Sequence, residues 1–317
     1  MLSILKKAAK KLPGLRKIIA ERNTLRHEVL ALQAEVAMQK EKAGFVPPGH
    51  YYSPIPDLAE ISSKEADIFA PPPKEISGIN MHEDEQLKLL HQFIPFYREI
   101  PFQATSKEGL RYYFENPSYS YSDAIFLYCM IRHTNPKTII EVGSGFSSCV
   151  SLDTRDQYLD QTVQTIFIEP YPQLLESLVR PEDHQTMTLI PSPLQDVNLE
   201  VFEQLKPNDI LFIDSTHVSK IGSDVNYLFF EILPRLSSGV YIHFHDIFFP
   251  FEYPKTWLYE GRAWNEAYLL RGFLQYNDAF DIVLMNTFME YFHASFFAEN
   301  MPLCLKNPGG SIWLRKR

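Results

Sequence analysis

The sequence predicts an α/β fold: a doubly wound, mostly parallel sheet with a helical extension at the N-terminus. Three observations carry this. Short apolar runs at 138–142, 164–169, 186–190, 209–214, 239–244 and 280–285 have the length and the β-branched content of buried strands. Helical patterns follow them at 146–158, 171–179, 198–205, 220–236 and 261–276. Strands that alternate with helices build a parallel sheet covered on both faces. Acids also recur where the strands end, and sheets of this kind bind ligands there.

The elements before the sheet read in order. Lys6, Lys7, Lys10, Lys11, Arg16 and Lys17 precede the first acid, Glu21, and Pro13 and Gly14 interrupt any helix among them. This basic end is either a solvated terminus or a weak contact for a membrane surface. From Leu15 to Lys42 there is no Gly or Pro, and the stretch reads as one helix. Ile18, Leu25 and Leu32 fall seven apart, and Val29 and Val36 lie four after Leu25 and Leu32. That is an a/d seam over roughly three heptads, broken by Arg22. It predicts a short coiled coil that joins the chain into a homo-oligomer; the alternative is a helix packed on its own domain. Pro47 to Pro73 is rich in proline and aromatics and should be extended. Helical patterns follow near 83–98 and 120–134, the second opening on Tyr121, Ser122 and Asp123, where Ser122 or Asp123 can cap it. The expected division is 1–46 for the basic and helical extension, 47–82 for the connector and 83–317 for the ligand-binding domain.

Composition excludes several classes. A net charge of −9 argues against a general nucleic-acid binder. Cys129, Cys149 and Cys304 are too few and too scattered for a disulfide framework or a zinc site. They read as reduced thiols of a cytoplasmic protein, peripheral to a membrane at most. No apolar run approaches the ~20 residues of a membrane span, and the apolar run at Met1–Leu5 is too short for a secretory signal. The chain holds 17 Tyr and 23 Phe, many in its C-terminal third, as core packing or as an acceptor pocket.

The most informative stretch is Thr138 to Ser148. Its strand ends in Glu141, and Gly143, Ser144 and Gly145 then open a helix. Glycine frees φ and removes the Cβ, so a ligand can lie against the backbone. An acid at this place disfavours a phosphate and suits a cationic or hydroxyl-rich ligand. Glu169 closes the second strand, Asp196 follows the third, Asp214 closes the fourth and Asp246 follows the fifth.

In this order and spacing, Glu-Val-Gly-Ser-Gly, Phe-Ile-Glu-Pro, Leu-Gln-Asp-Val, Phe-Ile-Asp-Ser-Thr-His and His-Phe-His-Asp resemble the class I S-adenosylmethionine-dependent methyltransferases. The resemblance covers roughly 120–290 and is nearest to the O-methyltransferases of small molecules and sugars, among them the macrolide-sugar and catechol enzymes. It implies a Rossmann-like sheet of the class I methyltransferase type and S-adenosylmethionine as cofactor. On this likeness Glu169 accepts the ribose hydroxyls and Asp196 the adenine amino group. The Gly143–Gly145 turn, with Ser144, lies against the methionine part and the ribose, Asp214 joins the cofactor site, and Glu141 holds the amino group directly or through water. Tyr121 and Ser122 match positions that touch the methionine carboxylate, and the cap stays open for Ser122.

Methyl transfer is an in-line displacement at a sulfonium carbon, and an acceptor hydroxyl must lose its proton. A histidine base or a divalent metal assists. His217 lies three residues after Asp214, where the similar enzymes carry their base. Those enzymes hold magnesium through the equivalent of Asp214 and an acidic pair after the fifth strand. Here the pair is His245-Asp246, so the expected catalytic group is His217, Asp214 and His245, and the expected metal set is Asp214, His245 and Asp246. Magnesium prefers oxygen, and an imidazole shifts the preference to manganese, iron or zinc, or removes the metal. His243 reads as packed. The loop 248–264 should wall the acceptor with Glu252, Tyr253, Trp257 and Trp264 beside His217; its alternative is an aromatic cluster sealing the sheet edge. The expected acceptor is a hydroxyl of a small molecule or glycan. The rivals are a binding scaffold with a degenerate domain and an NAD-type oxidoreductase. The latter lacks its third glycine and a Tyr-x-x-x-Lys pair.

Overall fold

The computed structural model describes residues 13–42, 44–160 and 162–317. Lys6, Lys7, Lys10 and Lys11, on which the membrane-surface reading rests, lie outside them. The chain divides into two compact units, Met1–Ile68 and Phe69–Arg317. The boundary falls within the connector expected at 47–82, just before the prolines at 71–73. In the first unit, α1 (Pro13–Lys42) is one helix of 30 residues. Among the described residues it includes Pro13 and Gly14, which were expected to interrupt a helix. A short helix, Leu58–Ser63, follows, capped by Asp57, whose carboxylate accepts the N–H groups of Ala59 and Glu60.

The second unit is built on a seven-stranded sheet. Its strands are β1 (Thr138–Val142), β2 (Gln164–Ile168), β3 (Met187–Ile190), β4 (Ile210–Ile213), β5 (Tyr241–His245), β6 (Phe280–Met285) and β7 (Ser311–Lys316), in the order β3-β2-β1-β4-β5-β7-β6. β1 pairs in parallel with β2 and β4, with Ile139 opposite both Thr165 and Ile210. Every residue of β1, β4 and β5 is buried. Helices cover both faces, so these strands read as continuous apolar runs rather than alternating ones.

Six strands were legible; β7 was not. It lies between β5 and β6 and runs antiparallel to both. Trp313 at its centre is fully buried.

Four helices position the site. α2 (Glu83–Arg98) carries three acids in its first turn and Arg98 in its last, each complementing the helix dipole. α3 (Tyr121–Thr134) is apolar nearly all round and almost wholly buried, as a helix with no solvent face must be. It packs against α2, against α4 (Phe146–Tyr158) and against the turn Pro302–Lys306. α5 (Glu266–Leu274) begins after the aromatic loop and buries Glu266 with Ala267 and Leu270.

Candidate active site

The strand order reverses between β1 and β4, and the chain leaves both strands at adjacent points. Gly143, at φ 76°, follows β1. A Cβ there would collide with the carbonyl oxygen of Asp214, which follows β4. Gly143 is therefore required by the chain's own close packing, and not only by a ligand. Asp214 N donates to Val142 O at 2.8 Å and Gly143 N to Ile168 O at 3.0 Å, so the ends of three strands are tied together. Gly145, in contrast, has extended backbone and faces only the tip of Leu174.

A cavity of about 440 Å³ opens over these ends, lined by Val142, Gly143, Glu169, Tyr171, Gln195 and Asp214 among others. Glu169 accepts the backbone N–H groups of Ser144 at 3.2 Å and Tyr171 at 2.8 Å. Those two bonds fix its carboxylate in the wall where the ribose hydroxyls were expected.

Several expected residues stand elsewhere. Glu141 is fully buried and outside the cavity lining. Its Oε1 accepts the hydroxyls of Ser147 at 2.6 Å and Ser148 at 2.8 Å, while Oε2 has no partner among the described residues. Burial pushes its carboxyl up to about 8, and the serine hydroxyls only partly offset this. It thus anchors the start of α4 under the turn. Asp196 is exposed, and its neighbour Gln195 lines the cavity instead, its side-chain amide donating to Gly222 O at 2.7 Å. Tyr121 stacks on Phe114 at 4.8 Å, and the Ser122 hydroxyl donates to buried Glu290 at 2.7 Å. Neither lines the cavity. Ser122 has no capping bond within its own helix either, because that oxygen is committed to Glu290.

A second group of residues meets the cavity at Asp214. His217, at φ 60°, turns its ring back toward that carboxylate. Its Nε2 lies 3.3 Å from Asp214 and 3.6 Å from Asp246, and its Nδ1 lies 2.9 Å from Glu266. Ser215 and Thr216 hold this turn: the Ser215 hydroxyl donates to Glu266 at 2.9 Å and the Thr216 hydroxyl to Asp224 at 2.6 Å. Burial alone would lower the His217 pKa, but Asp214 and Glu266 outweigh it and hold the ring protonated up to about 10. His245 lies 3.5 Å from Asp214 through Nδ1 and 3.7 Å from Asp123 through Nε2. Its burial is likewise outweighed, by Asp246, Asp214 and Asp123, and it too stays protonated well above the usual range. Asp214 in turn is held well below the usual carboxylate range: burial opposes its charge, and His245 and His217 overcome that. Four carboxylates face two imidazoles.

The metal ligands expected were Asp214, His245 and Asp246. The atoms that converge within 4.8 Å of one another belong to Asp214, His217 and Asp246. His217 Nε2 thus stands in that set; His245 Nδ1 also lies 3.5 Å from Asp214 and 3.7 Å from Asp246 but falls outside it. His243 is packed, stacked on Phe212 at 4.1 Å. Trp264 covers His217, with ring centroids 4.3 Å apart, and Tyr253 and Trp257 pack on Trp264 at 6.0 and 5.3 Å. Glu252 accepts the Tyr268 hydroxyl and the Tyr253 N–H. Sequence reasoning missed Glu266 and Gln195 and read Asp123 only as a cap. Gln195 had a signal, its position beside Asp196; Glu266, far along the chain from His217, had none.

A family model for a methyltransferase domain matches residues 140–247, from β1 through β5. An uncharacterised protein of Archaeoglobus fulgidus is 33% identical over 179 residues, which are 55% of this chain and 80% of that protein. Residues 140–247 are a methyltransferase domain, and the sheet that holds them has the Rossmann-like order of the class I type. Solved structures of such domains are similar in chain path. An S-adenosylhomocysteine-bound methyltransferase of Podospora anserina is 14% identical with a TM-score of 0.40, over 83% of this chain and 98% of that one. The O-methyltransferase TomG of Streptomyces achromogenes, involved in tomaymycin synthesis, is 12% identical with a TM-score of 0.43, over 81% and 96%. Likeness at this level bears on neither the acceptor nor the site residues of this methyltransferase domain.

Proposed function

We propose that this chain is an O-methyltransferase that binds S-adenosylmethionine in the cavity over β1, β2 and β4 and methylates a hydroxyl of a small molecule or glycan. The observation that carries this reading is the place of Asp214. It lines the cavity and also belongs to the cluster with His217 and Asp246. Donor and acceptor therefore have adjoining sites. Glu169, oriented by two backbone N–H groups, is suited to a ribose diol. Trp264 gives the acceptor an apolar face beside His217.

In the reaction the acceptor oxygen forms a bond to the methyl carbon as the carbon–sulfur bond breaks. The sulfur keeps the electron pair and becomes a neutral thioether, and the hydroxyl proton must leave. An imidazole can take that proton only when neutral, and Asp214 and Glu266 keep His217 protonated. A divalent cation competes with that proton. The mixed nitrogen and oxygen donors of Asp214, His217 and Asp246 fit manganese, iron or zinc better than magnesium. Bound there, the cation would lower the pKa of the acceptor hydroxyl. His217 then serves as a ligand with the two aspartates rather than as a free base.

Calorimetry with S-adenosylhomocysteine tests the donor site; absence of binding sinks the methyltransferase reading. Chelation followed by re-addition of manganese, zinc or magnesium tests the cation. Full turnover after exhaustive chelation would remove it from the mechanism and return the base role to His217.

A further inference from the structure

We propose that α1 forms a parallel, two-stranded coiled coil with α1 of a second copy of this chain, in one register. The inference is independent of the methyltransferase reading. Along the 30-residue helix, Ile18, Leu25 and Leu32 are each more than half exposed, and Val29 and Val36 about half. These apolar side chains form one seam. With Ile18, Leu25 and Leu32 at d, Val29 and Val36 stand at a. A β-branched residue at a with Leu at d favours two parallel strands.

The residues beside the seam decide its direction. The g positions hold Glu21, Glu28 and Glu35, and the e positions hold Arg26, Gln33 and Lys40. In a parallel pair each g faces the e of the following heptad in the other helix. That sets Glu21 against Arg26, Glu28 against Gln33 and Glu35 against Lys40, with no like charges opposed. An antiparallel pair sets g against g and e against e, so glutamates would face glutamates and Arg26 would face Lys40 or its own copy. A slip of one heptad would leave Ile18 or Val36 without an apolar partner. Arg22, at a, interrupts the seam beside Glu21 of the second copy. A single polar residue at an a position lowers stability but fixes register and strand number.

The test uses the full chain and measures its mass in solution by light scattering and sedimentation equilibrium. The expected species is a dimer at micromolar concentration. Leu25→Asp with Leu32→Asp should give a monomer whose thermal unfolding otherwise matches the parent, since both positions are exposed. Glu21→Lys or Arg26→Glu alone should weaken the dimer several-fold, and the two together should restore it. Val29→Cys should yield a covalent dimer on oxidation; the native cysteines are all buried. A monomeric or trimeric parent overturns the proposal. So does a dimer that survives the two aspartates, or one in which Val29→Cys does not cross-link or the charge swap does not rescue.

Discussion

His217 sits in left-handed backbone in the turn held by Ser215 and Thr216, with one ring nitrogen on Glu266 and the other between Asp214 and Asp246. His217→Ala should lower turnover by about 10²–10⁴ while S-adenosylhomocysteine affinity stays within a few-fold. As a ligand, its loss should also abolish the cation dependence of whatever turnover remains. Unchanged turnover would exclude it from the chemistry. Glu141 offers a pH test with a definite sign. Folded, its carboxyl keeps its proton up to about 8; unfolded, it releases it near 4.5. Over that window the folded state holds the extra proton, so stability falls as pH rises, and above about 8 the cost of the buried charge is fully present. Glu290, also pushed up to about 8 by burial, adds the same sign. Glu141→Gln keeps an oxygen for Ser147 and Ser148 and removes one titration. Between about pH 6 and pH 9 its melting temperature should fall less than that of the parent; equal slopes would refute the assignment. Gly143→Ala brings a methyl group against the Asp214 carbonyl at a φ few residues adopt. It should cost about 1–3 kcal/mol and weaken S-adenosylhomocysteine binding, because relief must move Asp214. An unchanged melting temperature would show that the strand ends are not in such close contact.

At the scale of elements, β7 has the largest share in closing the sheet. It supplies both hydrogen-bonding partners of the β5–β6 gap, and Trp313 is wholly enclosed at its centre. Trp313→Ala should cost about 3–5 kcal/mol, the usual range for removing a large buried aromatic, read as a lower urea midpoint with an unchanged m-value. A loss under about 1 kcal/mol would mean that the sheet repacks without it. The aromatic loop before α5 splits along its length. Trp264 reaches His217, whereas Trp257 and Tyr253 support Trp264, and Arg262 stacks over both tryptophans at 4.2 and 5.1 Å. Along this loop Trp264 lies against His217, and Tyr253 and Trp257 pack behind it.

Across the whole molecule, the chain divides into two units: one holds a long helix with an exposed apolar seam, the other an α/β domain with the cavity. No helix among the described residues is long and apolar enough to cross a membrane. The sequence by itself determined the six strands of the αβ alternation, the helices between them, the heptads of α1 and the acids at the strand ends. These follow from periodicity and local chemistry, which act over a few residues. Glu169 and Asp214 stand at the cavity because each directly ends a strand that reaches it. Only the tertiary structure decided what required contact between distant segments. Glu141 turned inward to two serines, Ser122 to Glu290, and Glu266 crossed 49 residues to reach His217. Which imidazole joins Asp214 and Asp246 in one convergent set of donor atoms was decided in the same way. A side chain's type is local, but its partner is set by which elements pack together, and a buried polar atom takes the partner that the packing puts within reach.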